Sequence, residues 1–338
     1  MIDICDAKIY IFCPPDIISG GPEALHQLCY YMRKTGIDAK MVYYLSHKTV
    51  SPERYYLYET CAIDYEEIED SEKNILIVPE TATLYLRCFR RIRKCIWWLS
   101  VDNYFKSKKD SSLIKDAIKF VFNKFRKEGK KYLYSSPVKL SDIKYHFCGS
   151  QYAYDFLLSL KYNIKPIMLV EPISKDFYLF EELQDLQSNG RDDVILYNPA
   201  KSSDIMNKLL LRNDLKFKAL RGYNPAELID IYRHAKLYID FGEFPGPERI
   251  PKESVFNGTC LLVGKRNAAK NSFDIPIPDF YKIENYNDEE LIVARIKYVL
   301  NHYDECINDF AFFRKKIANL ENTFMNEIKV IFSNDARG

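Results

Sequence analysis

Hydrophobic residues in this chain fall in short unbroken runs, separated by longer stretches with the spacing of amphipathic helices. Runs near residues 8–13, 40–45, 74–78, 94–100, 145–148 and 165–170 form one series; runs near 193–197, 216–219, 236–241, 259–263 and 281–283 form a second. An unbroken apolar strand is covered on both faces, and strands alternating with helices build a parallel sheet. The polar stretch 180–192 separates the series and reads as a linker. The pattern therefore predicts an α/β protein with two doubly wound domains, 1–179 and 193–318, and a C-terminal helix and tail at 319–338. Ligands of such sheets bind beyond the carboxyl ends of the strands, so a cleft between the domains is the expected site. Asn224-Pro225-Ala226-Glu227 has the form of a capping box and predicts a helix running to about His234. From Asp288 onward the spacing is mostly helical.

Composition narrows the function. A chain of 338 residues suits two domains, each with its own core. A net charge of +2 gives no reason to expect a nucleic-acid partner. The N-terminus lacks a basic-then-apolar leader, and no apolar run reaches the roughly 18 residues of a spanning helix, so a cytoplasmic protein is expected. The 9 cysteines form no C-x-x-C pair, and Cys13, Cys148 and Cys260 sit inside apolar strands as small buried hydrophobes. Neither a disulfide framework nor a metal site is expected.

Candidate chemistry concentrates at 243–264. A strand (LYIDFG) runs into a loop holding Glu243, Gly246, Pro247, Glu248 and Arg249. A helix is predicted near Pro251 with Lys252 and Glu253 on its first turn, and another buried strand follows. Helix-end N–H groups with nearby cations suit an anion, and a carboxylate beside them accepts hydrogen bonds from hydroxyls; together they suit a sugar nucleotide. Lys201, just after the first strand of the second series, is a further cation for a diphosphate. Gly20 and Gly21 let a ligand approach the backbone where a helix starts. Tyr223, before the capping box, could border a base. On the acceptor side, Asp102 follows a strand and could orient a hydroxyl, Trp98 could present a ring to a sugar face, and His26 could reach the same cleft. His146 reads as a satisfied core histidine. The stretch 106–131 is rich in Lys and Arg, and 113–127 within it has amphipathic helical spacing that could lie on an anionic membrane surface. A cluster at Arg87, Arg90, Arg91, Arg93 and Lys94 adds positive charge to the same domain.

Four segments, in order, carry a family resemblance: ISGGPEALHQLCYYMRKTG from Ile18, YNPAKSSD from Tyr197, GYNPAELIDIYRHAKLYIDFG from Gly222, and GPERIPKES from Gly246. With them the sequence resembles the retaining "group 1" glycosyltransferases of GT-B fold, closest to members from bacterial capsule and O-antigen clusters. The resemblance implies two Rossmann-like domains and transfer of a sugar from a nucleotide-diphosphate donor to a glycan or lipid-linked acceptor, with retention of configuration. It makes Lys201, Arg249, Lys252 and Glu253 donor-binding residues, with Glu253 the second glutamate of an E-x7-E motif. Pro245 stands where the first glutamate would be, leaving Glu243 or Glu248 for that role. The usual arginine shortly before Lys201 is also absent. No D-x-D sequence occurs, which fits a protein that uses these groups in place of a divalent metal and needs no cofactor beyond the donor. A catalytically lapsed partner subunit and a nucleotide-sugar epimerase are the alternatives within this fold.

Overall fold

The structure, a computed structural model, describes residues 1–44, 46–110, 139–179, 190–201 and 203–333. Contacts within the chain define two compact units: Met1–Glu171 with Asn322–Gly338, and Pro172–Glu321.

The first unit contains β1 (Ile2–Asp3), β2 (Ile9–Cys13), β3 (Ala39–Tyr43), β4 (Ala62–Ile63), β5 (Ile75–Pro79), β6 (Arg93–Trp98), β7 (Tyr145–Cys148) and β8 (Pro166–Met168). All but β1 form one parallel sheet in the order β4-β3-β2-β5-β6-β7-β8. Every residue of β2 and β5 is buried, which explains their unbroken apolar runs. Alternate residues serve opposite faces: Ile9, Ile11 and Cys13 join one core, Tyr10 and Phe12 the other. Trp97 and Trp98 divide in the same way. The chain winds outward from β2 through β3 and β4, then returns to the centre to place β5, so strand order reverses between β2 and β5.

The second unit contains β9 (Asp192–Tyr197), β10 (Lys216–Ala219), β11 (Ala235–Asp240), β12 (Cys260–Gly264) and β13 (Lys282–Ile283), all parallel in the order β10-β9-β11-β12-β13. Its order reverses between β9 and β11. The predicted capping box is present: Asn224 Oδ1 accepts from Glu227 N–H at 3.0 Å, and Glu227 Oε2 accepts from Asn224 N–H at 2.8 Å.

The division differs from the expected one at two places, each for a packing reason. Helix Lys175–Leu179, expected in the first domain, belongs to the second unit, where Phe177 faces Tyr232 at 6.2 Å and Tyr178 donates to the Ile317 carbonyl. Arg191, expected in a linker, is buried there and donates to the carbonyls of Tyr232, Ala235 and Asn257. The C-terminal helix Leu320–Ile331 is more than an appendage: Phe324 stacks on Trp97 at 5.9 Å, and Glu327 accepts from Val170 N–H at 2.7 Å. After it, β14 (Phe332–Ser333) pairs with β1. The chain therefore ends in the unit where it began. Among the described residues no helix is long and apolar enough to cross a membrane. The basic stretch 113–127 lies outside the described residues.

Candidate functional site

Lys201 lies where strand order reverses in the second unit. After β9 the chain turns at Asn198, whose carbonyl accepts from Lys201 N–H at 3.1 Å. The ammonium then reaches Asp240 Oδ2 at 3.1 Å and Glu248 Oε2 at 2.9 Å, and sits 4.5 Å above the Phe244 ring. Asp240 ends β11 and is buried, accepting also from the Tyr238 hydroxyl at 3.1 Å and Gly242 N–H at 3.0 Å. Close approach here depends on Gly242, because a Cβ at that position would lie 2.8 Å from the Cβ of Lys201. Burial by itself lowers the Lys201 pKa; the Glu248 and Asp240 charges outweigh that and hold it above the ordinary lysine value. Lys201 is therefore a half-buried, ion-paired cation joining the carboxyl ends of β9 and β11, the place where open α/β sheets bind ligands.

Glu248 immediately precedes helix Arg249–Phe256, and its side chain makes no cap hydrogen bond to the first N–H groups of that helix. The helix begins two residues before Pro251, so Lys252 and Glu253 fall beyond its first three residues; proline is tolerated throughout a first turn, where its missing N–H breaks no helical bond. Both residues are buried, and the Glu253 charge is among the causes that raise the buried phenol of Tyr232. Arg249 is half-buried at the first helical position. Geometry separates the two acidic candidates. Glu248 joins Lys201, whereas Glu243 is exposed and turns to Arg266 at 3.5 Å and Asn267 at 3.1 Å. Tyr223, 37% exposed, lies beyond β10 with the Lys218 ammonium 5.7 Å from its ring.

An aromatic wall beyond β12 and β13 escapes the sequence reading. The Arg266 guanidinium lies 4.0 Å from the Tyr286 ring centre, and Phe241 meets that ring edge-on at 6.0 Å. The phenol rests on Gly264, where a Cβ would come within 1.6 Å of its oxygen. Both Arg266 and Tyr286 closely follow predicted strands, the one sequence signal that could have found them.

In the first unit, Gly20 and Gly21 open helix Gly20–Lys34, whose preceding residue Ser19 makes no side-chain cap. A Cβ at Gly21 would make only ordinary contact, 3.8 Å from Leu99, so internal crowding does not demand glycine there. Two predicted acceptor-side residues prove to be core. His26 is fully buried, its Nδ1 donates to the Pro22 carbonyl at 2.7 Å, and its Nε2 accepts from the Tyr43 hydroxyl at 2.8 Å. Burial pushes its pKa down to about 4. Trp98 has no exposed face, because Tyr104, Phe156 and His146 surround its ring. Its indole N–H donates to His146 Nδ1 at 3.1 Å, which confirms His146 as a satisfied core histidine. Asp102 is half-buried on the first turn of helix Val101–Asp110 and accepts from the Tyr152 hydroxyl at 3.3 Å.

The carboxylate that the sequence reading missed is Glu80. It follows β5 directly, beside the reversal between β2 and β5, and accepts from Leu99 N–H at 3.0 Å. Burial lifts its carboxyl to about 7, against N–H groups of Leu99, Glu80 and Ser100 and with some help from the Glu171 charge. Its folded-state value is raised, so the stability it contributes is full below pH 4.5 and is lost as pH rises through 7. Glu80→Gln should remove that slope. The difference in unfolding free energy between variant and wild type, from urea titrations, is expected to change by about 3 kcal/mol between pH 4.5 and pH 8. A constant difference would contradict this placement.

Beyond β2 and β3 lies a cavity of about 550 Å³, lined by Asp16, Tyr43, Lys48, Ser51, Glu53 and Tyr56 among others. Lys48 pairs with Asp16, and the Tyr43 hydroxyl bonds Ser51 at 2.9 Å. The Tyr56 ring is 56% exposed, which leaves an aromatic face open at the cavity.

No protein-family model and no curated protein matches the sequence. Solved structures do match. Sucrose-phosphate synthase from Thermosynechococcus elongatus is similar over 96% of this chain and 98% of its own, with TM-score 0.63 and 9% identity. The BGT of T4 phage, in complex with UDP and Mn2+, is similar over 95% and 99%, with TM-score 0.55 and 11% identity. A glycosyltransferase from Rickettsia africae ESF-5 is similar over 98% and 96%, with TM-score 0.52 and 12% identity. The chain has the GT-B fold. At these identities the likeness concerns backbone architecture, and activity has to be argued from the residues.

Proposed function

We propose that this GT-B chain is a glycosyltransferase that moves a sugar from a nucleotide-diphosphate donor to a hydroxyl of a glycan or lipid-linked acceptor in bacterial surface polysaccharide synthesis. One observation supports the reading above the rest: Lys201 is a half-buried cation at the reversal between β9 and β11, paired with Glu248, the residue that immediately precedes helix Arg249–Phe256. As the glycosidic bond breaks, negative charge gathers on the departing diphosphate. A preorganised ammonium and helix N–H groups stabilise it without rearrangement. Arg249 adds a second cation, and these groups meet the leaving-group charge in place of a divalent metal. Glu248 is the acid placed for hydroxyls of the transferred sugar, and Glu253 the one for the ribose. Tyr286 with Arg266, or Tyr223, would border the base. The T4 phage BGT of the same fold is described with UDP, and an alpha-glucosyltransferase of TM-score 0.51 with UDP-glucose, which supports a nucleotide-sugar donor. Retention of configuration follows the family resemblance.

The first unit would hold the acceptor. Its cavity has an aromatic face and fixed polar groups, the usual means of holding a sugar ring, and Asp102 and Glu80 lie beyond strand ends. The basic composition of 106–131 supports a meeting with an anionic lipid surface. A lapsed partner subunit is the second reading, favoured by Pro245 in place of the first motif glutamate. Thermal-shift and hydrolysis assays with UDP-, GDP- and dTDP-sugars separate the two. One nucleotide class should raise the melting temperature by several degrees at saturating ligand and be turned over. Binding without any turnover favours the lapsed subunit; no binding by any class contradicts both.

A further inference from the structure

A run of hydrogen bonds leads from the buried His26 to the cavity beyond β2 and β3, and its protons point one way. The Pro22 carbonyl can only accept, so at 2.7 Å it fixes the imidazole proton on Nδ1. Burial beneath the stacked Tyr55 ring, 4.2 Å away between centres, keeps the imidazole neutral, so Nε2 is an acceptor. The Tyr43 hydroxyl lies 2.8 Å from Nε2 and has one proton, which goes there. The Tyr43 oxygen therefore accepts from the Ser51 hydroxyl at 2.9 Å. The Ser51 oxygen in turn accepts from the Thr60 hydroxyl at 2.8 Å. Among the described residues Tyr43 and Thr60 are the hydrogen-bond partners of the Ser51 hydroxyl.

The consequence falls in the cavity, which Ser51 lines. A serine hydroxyl has one proton and two lone pairs. Tyr43 holds the proton and Thr60 one lone pair, which leaves a single lone pair for whatever fills the cavity. Ser51 accepts there and cannot donate. Beside it the Lys48 ammonium is paired with Asp16, and Glu53 adds a further carboxylate to the lining. An anion brings only acceptors, so this wall repels it. A sugar hydroxyl brings a proton, and the exposed Tyr56 ring offers a face to the sugar ring. We infer that Ser51, its proton committed through Tyr43 to His26, makes this cavity select an uncharged sugar over a phosphorylated or carboxylated one. Ser51 is the specificity-determining contact; Tyr43 and His26 are positioning residues behind it. This rests on the acceptor-side reading of the cavity above and deepens it, because it sets the charge of the sugar that enters.

Saturation-transfer NMR titration of the full chain with glucose, galactose and mannose, each against its 6-phosphate and its uronic acid, tests this. At least one neutral sugar should bind, roughly tenfold more tightly than its acidic counterparts. Tyr56→Ala should abolish the signal, which assigns it to the cavity. Ser51→Ala should weaken the neutral sugar about three- to tenfold. Tyr43→Phe should have an effect that lost packing does not: it returns the Ser51 proton to the cavity, so the acidic sugars should gain about three- to tenfold. Thr60→Val frees a lone pair and no proton, so it should bring the acidic sugars no gain. Were the protons to point the other way, Thr60→Val would be the variant that confers acid binding. Thr60 is half-buried, so this variant decides the direction even where Tyr43→Phe does not fold. Acid binding gained by Thr60→Val, none gained by a folded Tyr43→Phe, or acidic sugars bound by wild type as tightly as neutral ones overturns the inference and leaves the acceptor cavity in place. Failure of every sugar to bind wild type overturns both.

Discussion

Lys201→Ala should lower sugar transfer by roughly two to three orders of magnitude, the usual loss when one preorganised charge is removed from a developing anion. The half-buried setting, against the buried Asp240, makes the effect large. The ammonium is held in a low-dielectric site by Asp240 and Glu248, and Gly242 leaves the space for its close approach. Water cannot take its place with the same orientation. The substitution also removes the cation shared by two acids, Asp240 in the sheet and Glu248 at its side. Stripping one partner from a buried ion pair costs about 3–5 kcal/mol, so activity has to be expressed per folded protein. Lys201→Ala combined with Glu248→Gln removes one of those two acidic charges and should recover stability without recovering transfer. Recovery of transfer in the double variant would mean that the lysine serves the fold and not the donor.

Trp98→Ala should destabilise the chain by about 3–5 kcal/mol, a large fraction of the stability of an ordinary domain. The indole is enclosed by Tyr104, Phe156 and His146, and its N–H is the donor to His146 Nδ1. Truncation leaves a cavity and strips the imidazole of a partner while Nε2 still faces the carbonyls of Leu140 and Ile143. Were Trp98 a platform for an acceptor sugar, as its place at a strand end suggests, the variant would keep its melting temperature and show a raised KM for acceptor. Urea unfolding and acceptor kinetics on one preparation decide between these outcomes.

Trp98 also shows where sequence reading reaches its limit. Runs such as IYIFC and ILIVP declare buried parallel strands because both faces are apolar, and the observed strands lie within two residues of the predicted ones. β1, β4 and β14, each two residues long, went unseen. Adjacent tryptophans in a strand face opposite sides, and only the packing of helices on both sides shows that neither is open. His26 has a helical position that fits a cleft or a core equally well; the Tyr43 hydroxyl waiting for its Nε2 settles it. Lys201 was legible as the first cation beyond a strand. Asp240, inside the apolar run LYIDFG, was not, because its meaning depends on Lys201 from a neighbouring strand. Glu243 and Glu248 could not be told apart from spacing, since the path of the 243–248 loop decides which one meets the cation. The domain boundaries shifted for a similar reason: a polar stretch signals a linker, yet Arg191 within it finds three carbonyls in the second unit.

The central claim is that Lys201 and the start of helix Arg249–Phe256 grip a diphosphate. A crystal structure of the chain soaked with its preferred nucleoside diphosphate tests it most directly. The account predicts phosphate oxygens within hydrogen-bond distance of the Lys201 ammonium and of the first N–H groups of that helix. Phosphates bound away from Lys201 and from that helix start would contradict it.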